Sequence, residues 1–277
     1  MNKSSYLVAG VALVALIGTA GYLWRQQHTS AATPEVPPAP AVATPAVVQP
    51  AASAASEPSI RYPIEAPVDN QQAATPLDVD TALAELFGRK TVLSMFQTQD
   101  FARRFVATVD NLGRSHAPVA VWPVNPTAGR LVVEKKGSGE VIGADNGLRY
   151  TPFVLLVETV DLPKAVATYA RLYPLLQQAY EDIGFPKRYF NDRLVAVIDQ
   201  LIATPDVNQP LKIRLPQING PLQLERPWVL YEFEDPALQS LSAGQKILLR
   251  MGPVVERRMK SKLTEIRRLV TVGGLPR

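Results

Sequence analysis

The stretch at 161–182, DLPKAVATYARLYPLLQQAYED, decides the fold class of this chain. Asp161 is a residue type that caps helix N-termini, and Pro163 falls in the first turn, where its missing N–H costs no hydrogen bond. Apolar and aromatic residues then recur every three or four positions, at Val166, Tyr169, Leu172, Tyr173, Leu176 and Tyr180. Gly184 follows as a stop, and Pro174 is expected to bend the helix. The pattern predicts a long amphipathic helix in a mainly helical body.

Shorter segments with helical periodicity lie on both sides of this stretch. Asp78 and Asp100 are the expected N-caps of two helices that precede it, and Gly88 and Gly113 are their expected ends. Besides the long helix, the sequence predicts helices at 78–87, 91–96, 100–112, 151–160, 191–202 and 254–270. A pair of short helices is predicted over 238–251. The segment 151–160 is also compatible with a buried strand, with helix favoured.

Four short segments have strand character, at 130–135, 140–142, 211–215 and 228–233. The Gly-Ser-Gly sequence at 137–139 separates the first two and is typical of a hairpin turn. In the last segment, Val229, Tyr231 and Phe233 are expected to share one face because strand side chains alternate. The expected fold is therefore α+β, mainly helical with two small β elements.

Residues 6–24 contain no charged side chain and lie between Lys3 and Arg25. At about 1.5 Å per residue they would reach roughly 28 Å as a helix, close to the hydrocarbon thickness of about 30 Å. Tyr6 and Trp24 stand at the two ends, where aromatic rings favour the headgroup region. We interpret 1–25 as a single transmembrane anchor. The alternative is a cleaved signal peptide, processed near the Ser-Ala-Ala sequence at 30–32.

Residues 26–76 are rich in proline and alanine. Proline lacks a backbone donor and disfavours helix at the preceding residue, and such a composition buries too little apolar surface to fold. It predicts a disordered linker between the anchor and a globular body at 77–272. The linker provides either reach across a compartment or a passive spacer. The sequence IRYPI at 60–64 is its one local apolar cluster and a candidate docking motif.

The location of the body is inferred from the predicted anchor. A chain without cysteine carries neither a disulfide nor a lipid-modified cysteine. Lys3 and Arg25 nearly balance under the positive-inside rule, but a short tail before a long body favours a cytoplasmic tail. We expect a single-pass protein of a bacterial inner membrane with its body in the periplasm.

Most catalytic arrangements are excluded by composition. Without cysteine, and with only His28 and His116, thiol nucleophiles, thiolate zinc sites and multi-histidine metal centres are absent, so no metal or cofactor is expected. His116 follows Ser115 and lies near Asp110 in sequence, but the loop indicates no triad geometry. The turn at 137–139 lacks the lysine and the helix of a phosphate-binding loop. Candidate acid/base groups are the acidic residues Glu181, Asp182, Glu232, Glu234 and Asp235, although Glu232 and Glu234 also fit an exposed strand face.

The C-terminal region is basic, with eight basic residues against two acidic ones from 246 to 270. Such an amphipathic helix suits an anionic surface, a lipid headgroup or nucleic acid. The candidate binding residues are Arg250, Arg257, Arg258, Lys260, Lys262 and Arg267. The alternative is a solvated helix face with intrahelical ion pairs, such as Glu265 with Arg267 or Arg268.

Several segments carry a resemblance to a known family. They are FVATVDNL at 105–112, YPLL at 173–176 with Ala179 and Tyr180, GFP at 184–186, Tyr231 with EDP at 234–236, and LSAGQK at 241–246 followed by LRMGP at 249–253. They are similar to a proteobacterial domain-of-unknown-function family, numbered 3014, over most of 76–270. The resemblance implies a membrane-anchored envelope protein and assigns no catalytic residue.

Three functional hypotheses follow. The leading one is a non-enzymatic, periplasmic interaction or scaffolding domain whose partner is another envelope protein. The second is a carboxylate-dependent hydrolase of an envelope polymer. The third is a cytoplasm-facing body that binds anionic lipid or nucleic acid through its final helix. Nucleic acid is the less favoured ligand because that helix lacks interleaved aromatic residues.

Overall fold

In the computed structural model, the residues described are 59–64, 76–216, 226 and 229–271. The predicted anchor at 6–24 lies outside them. Within the described part of the chain, every helix is too short or too polar to cross a bilayer. The predicted α+β class is confirmed, since helices dominate the described residues and are accompanied there by one small antiparallel sheet.

The helices fall into three groups along the chain, with the strands between the groups. In chain order they are α1 (Pro76–Phe87), α2 (Arg89–Met95), α3 (Phe101–Leu112), α4 (Thr151–Thr159), α5 (Leu162–Asp182), α6 (Phe190–Ile202), α7 (Pro236–Gln239), α8 (Ala243–Met251) and α9 (Pro253–Thr271). Two 3₁₀ segments, Val119–Val121 and Ala144–Tyr150, lie between α3 and α4. The segment at 151–160, for which helix was favoured over strand, is helical.

The start of α5 confirms the sequence-based assignment. The Asp161 carboxylate accepts a hydrogen bond from the Lys164 backbone N–H at 2.9 Å, so one of the unpaired donors of the first turn is satisfied. The helix is continuous through Pro174. It ends before Gly184, whose φ of +107° is a conformation that suits glycine.

Two other predicted caps are wrong. The first helix begins at Pro76, before Asp78, because proline is tolerated in the first turn. Asp100 does precede α3, but its side chain makes no capping hydrogen bond. The reason is its left-handed backbone, with φ 53° and ψ 34°, in place of the extended conformation of an N-cap.

The long helix α5 contributes to most of the hydrophobic clusters. Its Tyr173, Leu176 and Tyr180 lie in the principal core, together with residues of α3, α4, α6, α8 and α9. Leu172 packs on α1 and α2, and Val166 packs on α6 and the end of α9. The apolar face read from its sequence is therefore the organising surface of the body.

The strands form one sheet of order β1-β2-β3-β4, where the sequence indicated two separate β elements. The strands are β1 (Val133–Lys136), β2 (Gly139–Ile142), β3 (Lys212–Arg214) and β4 (Glu232–Phe233), all paired antiparallel. Among the described residues of the predicted strand at 228–233, Glu232 and Phe233 are in a strand, and they pair with the last two residues of β3. Val229 is exposed and Phe233 buried, so the expected shared face is wrong. The sheet packs on α8 through Ile213, Phe233 and Leu249.

Residues 59–64, which fall inside the predicted linker, contact the helical body. Ile64 is buried in the principal core, and Tyr62 packs beside Val166, Val195 and Val270. The candidate docking motif at 60–64 therefore contacts its own chain.

Candidate functional site

The predicted binding residues lie on or beside α9, which packs mainly on α6 and also on α4, α5 and α8. Met259 and Val270 are buried, and Val255, Leu263 and Ile266 pack partly buried against the cores. The inward face read from the sequence is thus confirmed. This orientation places the basic side chains at the edges of the helix contacts, where partners on other elements reach them.

Arg250 ties α8 to the sheet. Its guanidinium donates to the Tyr231 carbonyl at 3.1 Å and lies 5.0 Å from the centroid of the Phe233 ring. Burial lowers the pKa of Arg250. The Arg250 side chain therefore connects α8 to the sheet, and its burial leaves it poorly placed to contact an anionic surface.

Arg258 forms a two-pronged ion pair with Glu158 of α4. Its Nε lies 2.6 Å from Glu158 Oε1, and its terminal nitrogen donates to Oε2. This hydrogen bond is the main reason that the pKa of Glu158 is lowered. The pair joins α4 to α9 and neutralises the charge of Arg258.

Lys260 has three oxygen partners. Its ammonium donates to the Thr204 carbonyl and to Asp206 Oδ1 at 2.8 Å, and it lies 2.8 Å from Glu256 Oε1. Burial opposes the charge of Lys260, but the carboxylates of Asp206 and Glu256 outweigh burial and raise its pKa. Glu256 is itself buried, a position that sequence reasoning missed although the Glu–Lys spacing of four was present.

The intrahelical ion pairs expected from the sequence differ from those observed. Glu265 pairs at 3.0 Å with Lys262, three residues before it, and not with Arg267 or Arg268 after it. Arg267 instead reaches across to Asp199 of α6. Arg257 and Arg268 are exposed and form no ion pair among the described residues. Binding of an anionic partner by this face stays a prediction, and it would rest mainly on these two arginines.

The acidic candidates have structural contacts. Glu181 accepts a hydrogen bond from Gln177 at 2.8 Å at the end of α5, whereas Asp235 caps α7 by accepting from the Ala237 backbone N–H. Glu232 lines a shallow cavity of about 460 Å³ with Arg214, Leu215 and Pro216. Only one of the candidate carboxylates lines this cavity, and acid/base catalysis requires two that face one cleft.

The loop after α3 contains no catalytic triad. The Asp110 carboxylate lies 2.9 Å from Arg193 Nε and 2.6 Å from Arg114, so arginines rather than His116 hold it. The Ser115 carbonyl accepts a hydrogen bond from Lys246. In the described part of the chain, no three acidic or histidine side chains are grouped as a metal ion would require.

A second surface carries exposed apolar side chains: Leu148 in the 3₁₀ segment, Leu155 on α4 and Val254 at the start of α9. They are 68%, 49% and 60% exposed. The three elements pack against one another. A Cβ added at Gly147 of the 3₁₀ segment would lie 3.0 Å from the Met251 carbonyl oxygen and 3.8 Å from Val255. The Glu158–Arg258 pair joins α4 to α9 one turn beyond Leu155 and Val254. We call these three residues the 148/155/254 patch.

Comparison with known proteins identifies the family. The model of a family described as proteins of unknown function, DUF3014, matches residues 101–267. The chain belongs to this family. No curated protein and no solved structure matches the chain. The DUF3014 match spans α3 to most of α9, so it includes both the basic helix and the 148/155/254 patch, and it confirms the resemblance seen in the sequence motifs.

Buried amides were also missed by sequence reasoning. Asn146, read as part of a turn, accepts from the Val132 backbone N–H at 3.0 Å and donates to the Arg250 carbonyl at 2.6 Å. It thereby joins the sheet to α8. Asn191, read as a helix start, is fully buried between α5 and α9. Neither position has a local pattern that separates it from an ordinary turn or cap residue.

Proposed function

We propose that this DUF3014 protein is a membrane-tethered interaction domain of the bacterial envelope, with its body in the periplasm. Two features of the sequence support the tether. The uncharged stretch at 6–24 has the length of a bilayer span, and the Pro/Ala-rich residues that follow have the composition of a spacer. The body is then presented away from the membrane to another envelope protein.

The 148/155/254 patch carries the interaction part of this proposal. Exposed apolar side chains that lie together and are bordered by polar groups are typical of protein–protein contact surfaces. Here Leu148, Leu155 and Val254 lie on three elements that contact one another, and the Glu158–Arg258 pair and the exposed Arg257 lie about one helical turn from Leu155 and Val254 along the chain. A partner with an apolar centre and a polar rim would match this arrangement.

The other two hypotheses receive less support from the same geometry. Most charges of the basic helix are used by Glu158, Asp199, Asp206, Glu256 and Glu265, which lowers its attraction for an anionic ligand. The acidic candidates lie at two different places, the end of α5 and the β4–α7 region. A hydrolase would need two of them at one cleft.

Site-specific photo-crosslinking in intact cells tests the interaction surface. A photoreactive amino acid is placed at Leu148, Leu155 or Val254, and at Leu93 of α2 as the control. Leu93 is 75% exposed, more than any patch residue, so a random collision would label it at least as strongly. We expect one discrete protein adduct at the patch positions and none at Leu93. Adducts of equal intensity at all positions, or none at the patch, would contradict the proposal.

Protease accessibility tests the location. In spheroplasts, a periplasmic body is digested while a cytoplasmic marker survives. Protection of the body until lysis would reverse the proposed orientation and return attention to the basic helix.

A further inference from the structure

Residues 61–64 bind the body through their main chain. The Asp192 carboxylate accepts from the backbone N–H of Arg61, at 3.1 and 3.2 Å, and from that of Tyr62 at 2.9 Å. The Tyr189 hydroxyl accepts from the Ile64 backbone N–H at 2.7 Å. Pro63 has no N–H to satisfy. Every main-chain donor from 61 to 64 therefore has a partner on the N-terminal end of α6.

One main-chain acceptor of the same segment, the Tyr62 carbonyl, also forms a hydrogen bond with the body. Asn191 donates to the Tyr62 carbonyl at 2.9 Å and to the Val270 carbonyl at 3.0 Å. Its amide oxygen accepts from the Tyr169 hydroxyl at 3.1 Å, and its backbone N–H donates to the Tyr173 hydroxyl. Residues of α5 thus orient Asn191, so its side-chain amide is already positioned to donate to the Tyr62 carbonyl.

Two side chains of the segment add apolar contacts at alternate positions. Tyr62 packs beside Val166, Val195 and Val270, and Ile64 enters the principal core. The intervening Pro63 is exposed, as are Arg61 and Ile60. Main-chain hydrogen bonds combined with pockets for alternate side chains are the arrangement by which folded domains bind extended peptides.

We propose that the N-terminal end of α6, with the neighbouring end of α9, is a peptide-recognition site whose ligand is the chain's own segment 61–64. The main chain of the segment is bound by hydrogen bonds to Asp192, Asn191 and Tyr189. The apolar surfaces that contact Tyr62 and Ile64 select a Tyr-Pro-aliphatic sequence. The segment is a releasable latch of the tether.

The latch alters the reach of the body, a consequence that rests on the proposed tether. With the segment docked, the tether runs from 26 to about 58, and with the segment free it extends to about 75. At about 3.5 Å per fully extended residue, the upper limits are about 115 Å and about 175 Å. Release of the latch would extend the maximum reach by about half.

Limited trypsin digestion of the full chain tests the docking. Arg61 is exposed, but cleavage after it requires the bound backbone to leave the site. Because Asp192→Ala removes the acceptor of two backbone donors, we expect cleavage after Arg61 to become about tenfold faster or more. The matched control is Asp161→Ala, which also removes a carboxylate that accepts a backbone N–H at a helix start, here the N–H of Lys164 in the same helix and not one of the segment. Equal cleavage rates in the wild-type chain and Asp192→Ala would overturn the proposal.

Addition of the ligand in trans tests recognition. A labelled peptide with the sequence of 59–64 should bind a full chain that carries Tyr62→Gly and Ile64→Gly, because that chain has lost its own ligand's anchors. It should bind neither the wild-type chain nor the same variant with Asp192→Ala. No binding by the Gly variant, with a native circular dichroism spectrum, would overturn the proposal.

Concentration dependence distinguishes the occupants. Protection of Arg61 that is independent of protein concentration supports docking within one chain. Protection that increases with concentration, together with a dimer in sedimentation, would assign the site to the segment of a second copy and overturn the proposal. These outcomes are independent of photo-crosslinking at the 148/155/254 patch, so the latch and the proposed function can fail separately.

Discussion

Asp110 of α3 provides the sharpest test of how the core is held together. It is 5% exposed, and two arginines approach its two carboxylate oxygens. Arg193 of α6 contacts Oδ1 at 2.9 Å and also donates to the Asp110 carbonyl at 2.9 Å. Arg114 contacts Oδ2 at 2.6 Å but is 52% exposed, compared with 28% for Arg193. The shorter contact is therefore the more solvated one.

The magnitudes follow from burial. Removal of one partner of a buried ion pair costs about 3–5 kcal/mol, and since both arginines reach solvent we expect Asp110→Ala to cost about 2–4 kcal/mol. The coupling energy of Asp110 with Arg193 should be about 1.5–3 kcal/mol, as for hydrogen bonds to charged groups. The coupling with Arg114 should be about 0.2–1 kcal/mol, as for exposed pairs.

Two double-mutant cycles measure these couplings. Each uses Asp110→Ala, with Arg193→Ala or Arg114→Ala, and urea unfolding followed by circular dichroism at neutral pH. The Arg114 cycle is the control, because it removes the same carboxylate and the same residue type. A coupling to Arg114 equal to or larger than that to Arg193 would refute the reasoning that burial, and not distance, sets the strength of these pairs.

Three further predictions concern other parts of the body. Burial raises the pKa of Tyr169, Tyr173 and Tyr180, so the folded state keeps protons that the unfolded state loses. Above about pH 10 the free energy of unfolding should fall by up to about 1.4 kcal/mol per pH unit for each tyrosine, and Tyr180→Phe should reduce the slope of a urea–pH series. Gly244→Ala places a Cβ 2.4 Å from Leu201 Cδ2 and 3.1 Å from the Leu112 carbonyl, so it should destabilise by about 1–2 kcal/mol in urea unfolding despite the better helix propensity of alanine. Neutralising Arg257 and Arg268 should lower the salt needed for elution from heparin more than neutralising the paired Lys262 and Arg267; equal shifts would show that the ion pairs do not mask the charge.

Local patterns predicted those parts of the fold that depend on local physics. The cap at Asp161, the apolar face of α5 and the inward face of α9 depend on helical periodicity and on hydrogen bonds within a few residues. The hairpin of β1 and β2 likewise depends on the turn at 137–139. These were correct because the same residues that carry the pattern also make the contacts.

Contacts between distant residues could not be read in the same way. The pairing of β2 with β3 joins residue 141 to residue 212. The ion pair of Arg258 joins it to Glu158, a hundred residues earlier in the chain. Basic periodicity on α9 predicted a charged face, but which charges remain free depends on acidic residues of α4, α6 and the loop after α6. The predicted binding residues therefore lie on or beside the expected helix, but most of their side chains already form ion pairs or hydrogen bonds within the chain. The motif at 60–64 was a candidate for docking, but its binding site on α6 could not be predicted, since Asp192 alone resembles a favourable acidic residue in a first helical turn.

The motifs that resemble the DUF3014 family make contacts that hold α3 and α8 together. Ser242 and Gln245, within the LSAGQK motif, form a capping box at the start of α8. The backbone N–H of Ala243 donates at 2.6 Å to the carbonyl of Arg114, two residues after the motif that ends at Leu112. Gly244 is packed so closely on Leu112 and Leu201 that a Cβ would overlap them. Because these residues are buried and their polar groups and surfaces contact other helices, the motifs specify packing between helices. A partner would then meet side chains that the core leaves exposed, which directs the search to the 148/155/254 patch.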